Sequence, residues 1–126
     1  MSRILVIEDE EAIRANLRRF LRLEAHEVIE AADGRAGVEA ARARPPDLII
    51  CDLMMPELDG FAVLREVRND PATRHVAFCF LTASAEKATR RSGLALGADA
   101  YLCKPFELAE MRAVLDRLLD PPSRGD

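Results

Sequence analysis

Five short apolar runs divide the chain into similar portions. They cover residues 4–7, 28–31, 48–51, 77–81 and 100–103, and each is bounded by polar or turn residues. Short runs rich in β-branched residues are typical of strands rather than helices. The first, third and fourth runs contain almost no polar residue, which predicts strands buried on both faces of a parallel sheet.

Amphipathic segments lie between these runs. The clearest apolar helical faces are Ile13, Leu17, Phe20 and Leu21, and later Leu108, Met111, Leu115 and Leu118. Weaker helical patterns cover residues 35–42, 61–68 and 87–96. Strands that alternate with helices predict a doubly wound α/β domain, in which helices cover both faces of a five-stranded parallel sheet.

Turn residues support this division. Asp33-Gly34 can begin a helix that Pro45-Pro46 ends, and Gly97 ends the helix predicted over 87–96. We expect residues 1–119 to form one domain. Residues 120–126 contain two prolines and a glycine among charged residues, which predicts a disordered tail or the start of a linker.

Composition and charge exclude several classes of protein. Of the 126 residues, 49% are hydrophobic and 32% charged, as in an ordinary globular domain. Every apolar run is far shorter than the roughly 20 residues of a membrane helix, and the apolar run after Arg3 is too short for that of a secretory signal. We therefore expect a cytoplasmic protein without membrane association. The net charge of −4, with basic and acidic residues interleaved, argues against nucleic-acid binding by this domain itself.

The three cysteines lie within or at the end of apolar runs. Cys51, Cys79 and Cys103 are far apart in sequence, and His26 and His75 lie near none of them. A zinc site needs closer pairs of ligands. We predict reduced cysteines that act as small buried hydrophobic residues.

Chemically useful side chains follow four of the predicted strands. Glu8 and Asp9 follow the first, Asp52 the third, Thr82 the fourth and Lys104 the fifth. Each alone has a structural explanation, as a helix cap, a turn aspartate or a solvated lysine. Because ligands of parallel α/β sheets bind at the carboxyl ends of strands, their joint occurrence there favours a functional site.

Carboxylates, a hydroxyl and an ammonium in this arrangement suit phosphoryl chemistry. Converging carboxylates repel one another and stay ionised only beside a cation, and hard oxygen ligands suit Mg²⁺. A carboxylate can attack a phosphoryl group to form an acyl phosphate. Lys104 and Thr82 are suitable residues to stabilise the phosphoryl oxygens.

Four ordered motifs resemble the receiver domain family of two-component signalling, which is the response regulator or chemotaxis-receiver-like family. They are ILVIEDE at residues 4–10, CDLMMPELDG at 51–60, FLTA at 80–83 and GADAYLCKPF at 97–106. The resemblance extends to about residue 119. It implies a flavodoxin-like (βα)5 fold with the strand order 2-1-3-4-5.

The resemblance also implies how the domain is phosphorylated. Asp52 would be the phosphoacceptor, and a sensor histidine kinase or histidine phosphotransfer protein would be the donor. Asp9, Asp52 and the backbone carbonyl of Met54 would bind Mg²⁺ directly, with Glu8 assisting through a water; Mn²⁺ could substitute. The protein would be a signalling switch that catalyses its own phosphorylation and dephosphorylation, rather than a turnover enzyme.

The remaining motif residues would convert phosphorylation into a change of shape. By the same resemblance, Lys104 and Thr82 would bind the phosphoryl oxygens, Tyr101 would turn inward as Thr82 shifts, and the bond to Pro105 would be cis. The phosphorylated domain would then change its affinity for an output partner or an attached effector domain, neither of which can be identified from the sequence.

Other functions for this chain are less consistent with its residues. A flavodoxin-like cofactor binder would need a Ser/Thr/Gly-rich loop after the first strand, where Glu8 and Asp9 would repel phosphate. Metal-dependent phosphatases usually place a second carboxylate two residues after the nucleophile, where this chain has Met54. A receiver that signals by contact alone would not need Asp52, Thr82 and Lys104 together.

Overall fold

The computed structural model describes residues 2–83, 91 and 95–119. Its strands are β1 (Arg3–Ile7), β2 (Glu27–Ala31), β3 (Leu48–Asp52), β4 (Ala77–Thr82) and β5 (Ala100–Cys103). The helices within the described part are α1 (Glu11–Leu23), α2 (Gly34–Ala43), α3 (Gly60–Asn69) and α4 (Leu108–Leu119). The helix predicted over 87–96 lies mostly outside the described residues, as does the tail predicted over 120–126.

The five strands form one parallel sheet in the order β2-β1-β3-β4-β5. This order confirms the predicted flavodoxin-like topology. From β1 the chain adds β2 on one side and then crosses to β3 on the other. The ends of β1 and β3 are therefore adjacent, with Ile7 opposite Cys51, at the point where ligands bind in such sheets.

Helices cover the sheet on both faces, as predicted. In β1, Ile4 and Val6 pack with α1 and α4, whereas Leu5 and Ile7 pack with α2 and α3. All four side chains are at most 1% exposed. Burial of such a side chain contributes about 1.5–3 kcal/mol, which explains why the buried part of β1, residues 4–7, contains no polar residue.

Two helices begin at aspartate caps. The Asp33 carboxylate accepts a hydrogen bond from the Ala36 backbone N–H at the start of α2, and Asp59 accepts one from Ala62 at the start of α3. Helix α1 begins differently, since its N-cap is Glu10 and no side chain caps it. The explanation of Asp9 as a helix cap is therefore wrong.

Strands β3 and β4 each extend one residue further than the apolar runs. Asp52 and Thr82 are consequently the last residues of these strands rather than the first residues of the following loops. Among the cysteines, Cys51 and Cys79 are buried as predicted, and burial raises the pKa of the Cys79 thiol to about 12. Cys103 is only partly buried.

Candidate functional site

Three carboxylates meet at the carboxyl edge of the sheet. Glu8 and Asp9 follow β1, and Asp52 ends the neighbouring strand β3. One carboxylate oxygen from each lies within 4.8 Å of the others. Glu8 is fully buried and Asp52 is 5% exposed, whereas Asp9 is exposed. The cluster thus has two buried members and one that faces solvent.

Lys104 reaches this cluster from the end of β5. Its Nζ lies 3.3 Å from Oε1 of Glu8 and 3.5 Å from Oδ1 of Asp52. The Lys104 backbone N–H donates to the Thr82 carbonyl at 2.7 Å, and the bond to Pro105 is cis, the isomer expected from the sequence. The explanation of Lys104 as a solvated loop residue is therefore wrong.

Burial and charge together perturb the acids of the cluster. Burial is the main cause that raises the pKa of Glu8 to about 7, and the negative charge of Asp52 adds to it. The Glu10 backbone N–H, 3.0 Å from Glu8 Oε2, and the Lys104 ammonium act in the opposite direction. Burial also raises the pKa of Asp52, against the attraction of Lys104.

The ammonium of Lys104 stays charged in this setting. Burial alone would lower the pKa of Lys104, but the charges and hydrogen bonds of Asp52 and Glu8 outweigh it, so the net pKa is raised. Its single positive charge lies beside the carboxylates of Glu8 and Asp52, and Asp9 adds a third carboxylate to the cluster. The donor set therefore fits a hard divalent cation such as Mg²⁺, because all three protein ligands are oxygens and one side remains open to solvent.

Met54 and Thr82 lie next to the cluster. The Met54 backbone N–H donates to Oδ1 of Asp52 at 3.4 Å, while its side chain is 73% exposed. Thr82 is fully buried at the end of β4, the strand that neighbours β3. The structure thus places the Met54 backbone N–H beside Asp52, and Thr82 at the end of the strand that neighbours β3.

Tyr101 lies three residues before Lys104 on β5. Its ring is partly exposed and contacts Phe80 edge-to-face, with 5.5 Å between the ring centroids. It packs against the part of the core that α2 and α3 cover. The ring contact described for Tyr101 is therefore with a residue of β4 and not with one of the three carboxylates.

Arg14 is a residue of the site that the sequence did not reveal. Its guanidinium donates to the Glu8 backbone carbonyl at 2.8 Å and forms ion pairs with Glu11 and Glu30. It therefore holds the backbone that carries Glu8. Its place on the polar side of α1 makes it look like an ordinary surface arginine, so no local pattern could have identified it.

An apolar cleft of about 560 Å³ adjoins the site. We call it the α1–β5 cleft; among the residues that line it are Ile13, Phe20, Leu23, Lys104, Phe106 and Leu108. Leu23 is 78% exposed and Leu108 is 56% exposed. An apolar surface of this kind beside a polar site is typical of a place where another protein binds.

A flavodoxin-like sheet with an acidic cluster and a lysine at its carboxyl edge defines the class of signalling receiver domains. Residues 4–116 match the family model described as response regulator receiver domain. The chain belongs to this family, whose members act in two-component signalling. Among the described residues, every helix is too short or too polar to cross a membrane.

Relatives and solved structures agree with this membership. The chain is 42% identical over 120 residues to the transcriptional regulatory protein PrrA of Mycobacterium tuberculosis, a match that covers 93% of the chain and 49% of PrrA. It therefore spans about half the length of this curated relative.

Two solved structures have nearly the same length as this chain. The chemotaxis protein CheY4 of Vibrio cholerae matches with a TM-score of 0.89 at 30% identity, over 94% of this chain and 98% of that one. The receiver domain of the sensor histidine kinase PA1611 from Pseudomonas aeruginosa, which has a magnesium ion coordinated in its active site cleft, matches with a TM-score of 0.88. It is 33% identical, over 95% of this chain and 98% of that one.

Proposed function

We propose that residues 1–119 form a receiver domain that is phosphorylated on Asp52 in a Mg²⁺-dependent reaction. The observation that carries the proposal is the position of Asp52. Its carboxylate lies within 4.8 Å of those of Glu8 and Asp9 and 3.5 Å from the Lys104 ammonium. A nucleophilic carboxylate needs both a cation and a donor to the phosphoryl oxygens, and this arrangement offers places for both.

The metal would be held by Asp9, Asp52 and the backbone carbonyl of Met54, with Glu8 acting through a water. When bound, Mg²⁺ would neutralise the carboxylates and the charge on the phosphoryl oxygens. The three convergent carboxylates support this assignment. So does the magnesium ion in the PA1611 receiver domain. Mn²⁺ takes similar oxygen ligands and could substitute.

The transfer step uses one oxygen of Asp52 as the nucleophile. This oxygen attacks the donor phosphorus while the bond from phosphorus to the leaving nitrogen or oxygen breaks, and the leaving group keeps the bonding electron pair. Lys104 donates hydrogen bonds to one phosphoryl oxygen and the Thr82 hydroxyl donates to another. Attack by water on the acyl phosphate later releases inorganic phosphate and restores Asp52.

Switching follows from the same contacts. Once Asp52 carries a phosphoryl group, a hydrogen bond from Thr82 draws this residue towards it, and Tyr101 turns inward. Phosphorylation would favour a conformation that the free protein already samples. The partly exposed ring of Tyr101 is compatible with such a movement.

A phosphorylated histidine on a sensor kinase or phosphotransfer protein would be the natural donor. We place this partner over the α1–β5 cleft, because Lys104 belongs to both the cleft and the acidic cluster. An output partner or an effector domain would read the switched state. A cytoplasmic location, as expected from the sequence, would keep the cysteines reduced.

The test is the intact mass of the protein after incubation with Mg²⁺ and acetyl phosphate. We expect one added phosphoryl group in the wild type, and none in Asp52→Asn or in wild type treated with EDTA. Beryllofluoride binding, followed by fluorine NMR, detects a site whose acyl phosphate is hydrolysed too fast to be weighed. Failure of both measurements in the wild type would contradict the proposal.

A further inference from the structure

Phe80 is the centre of an aromatic cluster next to the proposed site. Its ring contacts those of Phe61, Phe78 and Tyr101 edge-to-face, with centroid distances of 5.3, 5.2 and 5.5 Å. The side chain is fully buried. Such T-shaped contacts fix the orientation of each ring relative to its neighbour more tightly than aliphatic packing does.

The same ring lies against Gly60, the first residue of α3, which packs on the backbone of Asp52. A Cβ atom built on Gly60 would lie 3.0 Å from Cε1 of Phe80 and 2.7 Å from the carbonyl oxygen of Asp52. In the sheet, Phe80 lies opposite Cys51 on β3 and opposite Tyr101 on β5. The ring therefore lies between the start of α3 and the ring of Tyr101, on the strand that neighbours β3.

We propose that Phe80 is a positioning residue for Tyr101. Its ring edge holds the Tyr101 ring in one orientation in the unphosphorylated protein, and it links that orientation to Gly60 at the start of α3, which packs on the backbone of Asp52. The inference rests on the proposed function, in which Tyr101 moves on phosphorylation. The position of Tyr101 would then depend on the buried ring of Phe80 as well as on Thr82.

Tyr101 provides its own probe. The chain contains one tyrosine and no tryptophan, so the tyrosine emission reports on this ring alone. Collisional quenching by acrylamide measures how accessible and mobile the ring is. We expect quenching of Tyr101 to be about twofold stronger in Phe80→Leu than in the wild type, because an aliphatic side chain cannot replace the edge-to-face contact.

Phe78→Leu is the matched control. Phe78 is also fully buried, and its described ring contact is with Phe80. It lies at the start of the β4–β5 pairing, where its carbonyl accepts from the Asp99 backbone N–H. The two variants lose the same atoms from the same core, so a general loosening would affect both. We expect Phe78→Leu to keep nearly wild-type quenching.

The response to beryllofluoride and Mg²⁺ is measured on the same proteins. The wild type and Phe78→Leu should change their tyrosine quenching on binding, whereas Phe80→Leu should show a smaller change at equal occupancy. If Phe80→Leu does not fold, Phe80→Met takes its place, because the flexible methionine side chain also lacks the ring and can fill an irregular gap better than leucine. Equal quenching and equal response in the two phenylalanine variants would overturn the inference.

Failure of the proposed function is distinguishable from failure of this inference. The quenching comparison without beryllofluoride needs no phosphorylation, so it tests the contact between Phe80 and Tyr101 directly. The intact mass after acetyl phosphate treatment tests Asp52 independently. A wild type that is phosphorylated while its tyrosine quenching stays constant would contradict the movement of Tyr101, and with it the role given to Phe80.

Discussion

Glu8 shows how strongly a single residue depends on its surroundings. Its carboxyl is fully buried, and Lys104, which lies 96 positions away in sequence, provides the nearest cation, at 3.3 Å. Among the described residues, Lys104 is the cation that pairs with carboxylates of this cluster, and its one charge leaves an excess of negative charge beside three carboxylates. In the metal-free protein a proton on Glu8 relieves part of this excess, and in the metal-bound protein a dication would do so instead.

Metal-free protein should lose stability as the pH rises. Because the folded pKa of Glu8 is raised from 4.5 to about 7, the folded state binds more protons than the unfolded chain between these values. The contribution of Glu8 is full below the unfolded pKa and is lost as the pH rises through the folded pKa. The raised pKa of Asp52 acts in the same direction.

We therefore expect the wild-type Tm in EDTA to fall between about pH 5 and about pH 8, and to fall less in Glu8→Gln. Thermal unfolding followed by circular dichroism measures both proteins. With Mg²⁺ the trend should reverse, because the cation competes with protons and stabilises the protein more at high pH. An identical slope in Glu8→Gln and the wild type without metal would show that Glu8 does not carry the effect.

Lys104→Met should strengthen Mg²⁺ binding. The Lys104 ammonium lies 3.3 and 3.5 Å from oxygens of Glu8 and Asp52, where it repels a second cation. Its removal should lower the Kd for Mg²⁺ by on the order of tenfold, as measured by isothermal titration calorimetry.

The control for Lys104 is Arg74→Met, which removes an equal charge from an exposed residue before β4. This variant should bind Mg²⁺ with nearly wild-type affinity. Unchanged or weaker binding in Lys104→Met would mean that the lysine does not compete with the metal.

At the scale of elements, the position of Asp52 depends on how closely α3 packs against β3. The Gly60 N–H donates to the Leu53 carbonyl at 2.9 Å. A Cβ at Gly60 would lie 2.7 Å from the Asp52 carbonyl oxygen and 2.8 Å from Cα of Leu53. Both neighbours are backbone atoms, so a side chain there could be accommodated only if β3 or α3 moved.

Gly60→Ala should therefore reduce both stability and phosphorylation. We expect the free energy of unfolding to fall by about 1–3 kcal/mol, as for other overpacked sites, and phosphorylation by acetyl phosphate to slow. Denaturant unfolding and intact mass measure the two effects.

Gly37→Ala is the comparison for Gly60→Ala, because its Cβ would meet the side chain of Ile7 rather than backbone. It should affect stability but leave the phosphorylation rate nearly unchanged. Equal rates in wild type and Gly60→Ala would show that the contact of α3 with β3 does not position Asp52.

The elements were predictable because burial leaves a simple pattern. A strand covered on both faces, such as Leu48–Asp52, contains only apolar residues until its last position. That last position was missed: Asp52 and Thr82 look like loop residues because they are polar, yet they still belong to the sheet. The strand order came from the family resemblance, because apolar runs do not indicate which strands pair.

The candidate site was predictable only in part. Strand ends and motifs identified Glu8, Asp9, Asp52 and Lys104, which the structure brings together. Local sequence patterns do not reveal packing between residues that are distant in sequence. The burial of Glu8, the bond from Arg14 to its carbonyl and the central place of Phe80 depend on residues that are distant in sequence or that look like ordinary surface and core positions.

At the scale of the whole molecule, the proposed site and the α1–β5 cleft form one continuous surface through Lys104. A small donor such as acetyl phosphate needs only the site. A protein donor must also bury surface to hold its histidine in line with Asp52, and exposed apolar side chains beside the site are suited to this. The rates of phosphorylation by the two kinds of donor should therefore respond differently to substitutions in the cleft.

Leu23→Asp should slow phosphorylation by a protein donor but not phosphorylation by acetyl phosphate. Leu23 is 78% exposed on the cleft, so a charge there would disturb partner binding without affecting the core. With a histidine-phosphorylated protein that phosphorylates the wild type, we expect transfer to slow by about tenfold or more. Phosphorylation by acetyl phosphate, followed by intact mass, should keep its wild-type rate.

Ala43→Asp is the matched control, because it introduces the same charge at an exposed position at the end of α2. It should leave both rates unchanged. If Leu23→Asp accepted phosphate from the protein donor as fast as Ala43→Asp, the donor would have to approach Asp52 over another surface. If Leu23→Asp also slowed the reaction with acetyl phosphate, the cleft would be part of the chemical site rather than a docking surface beside it.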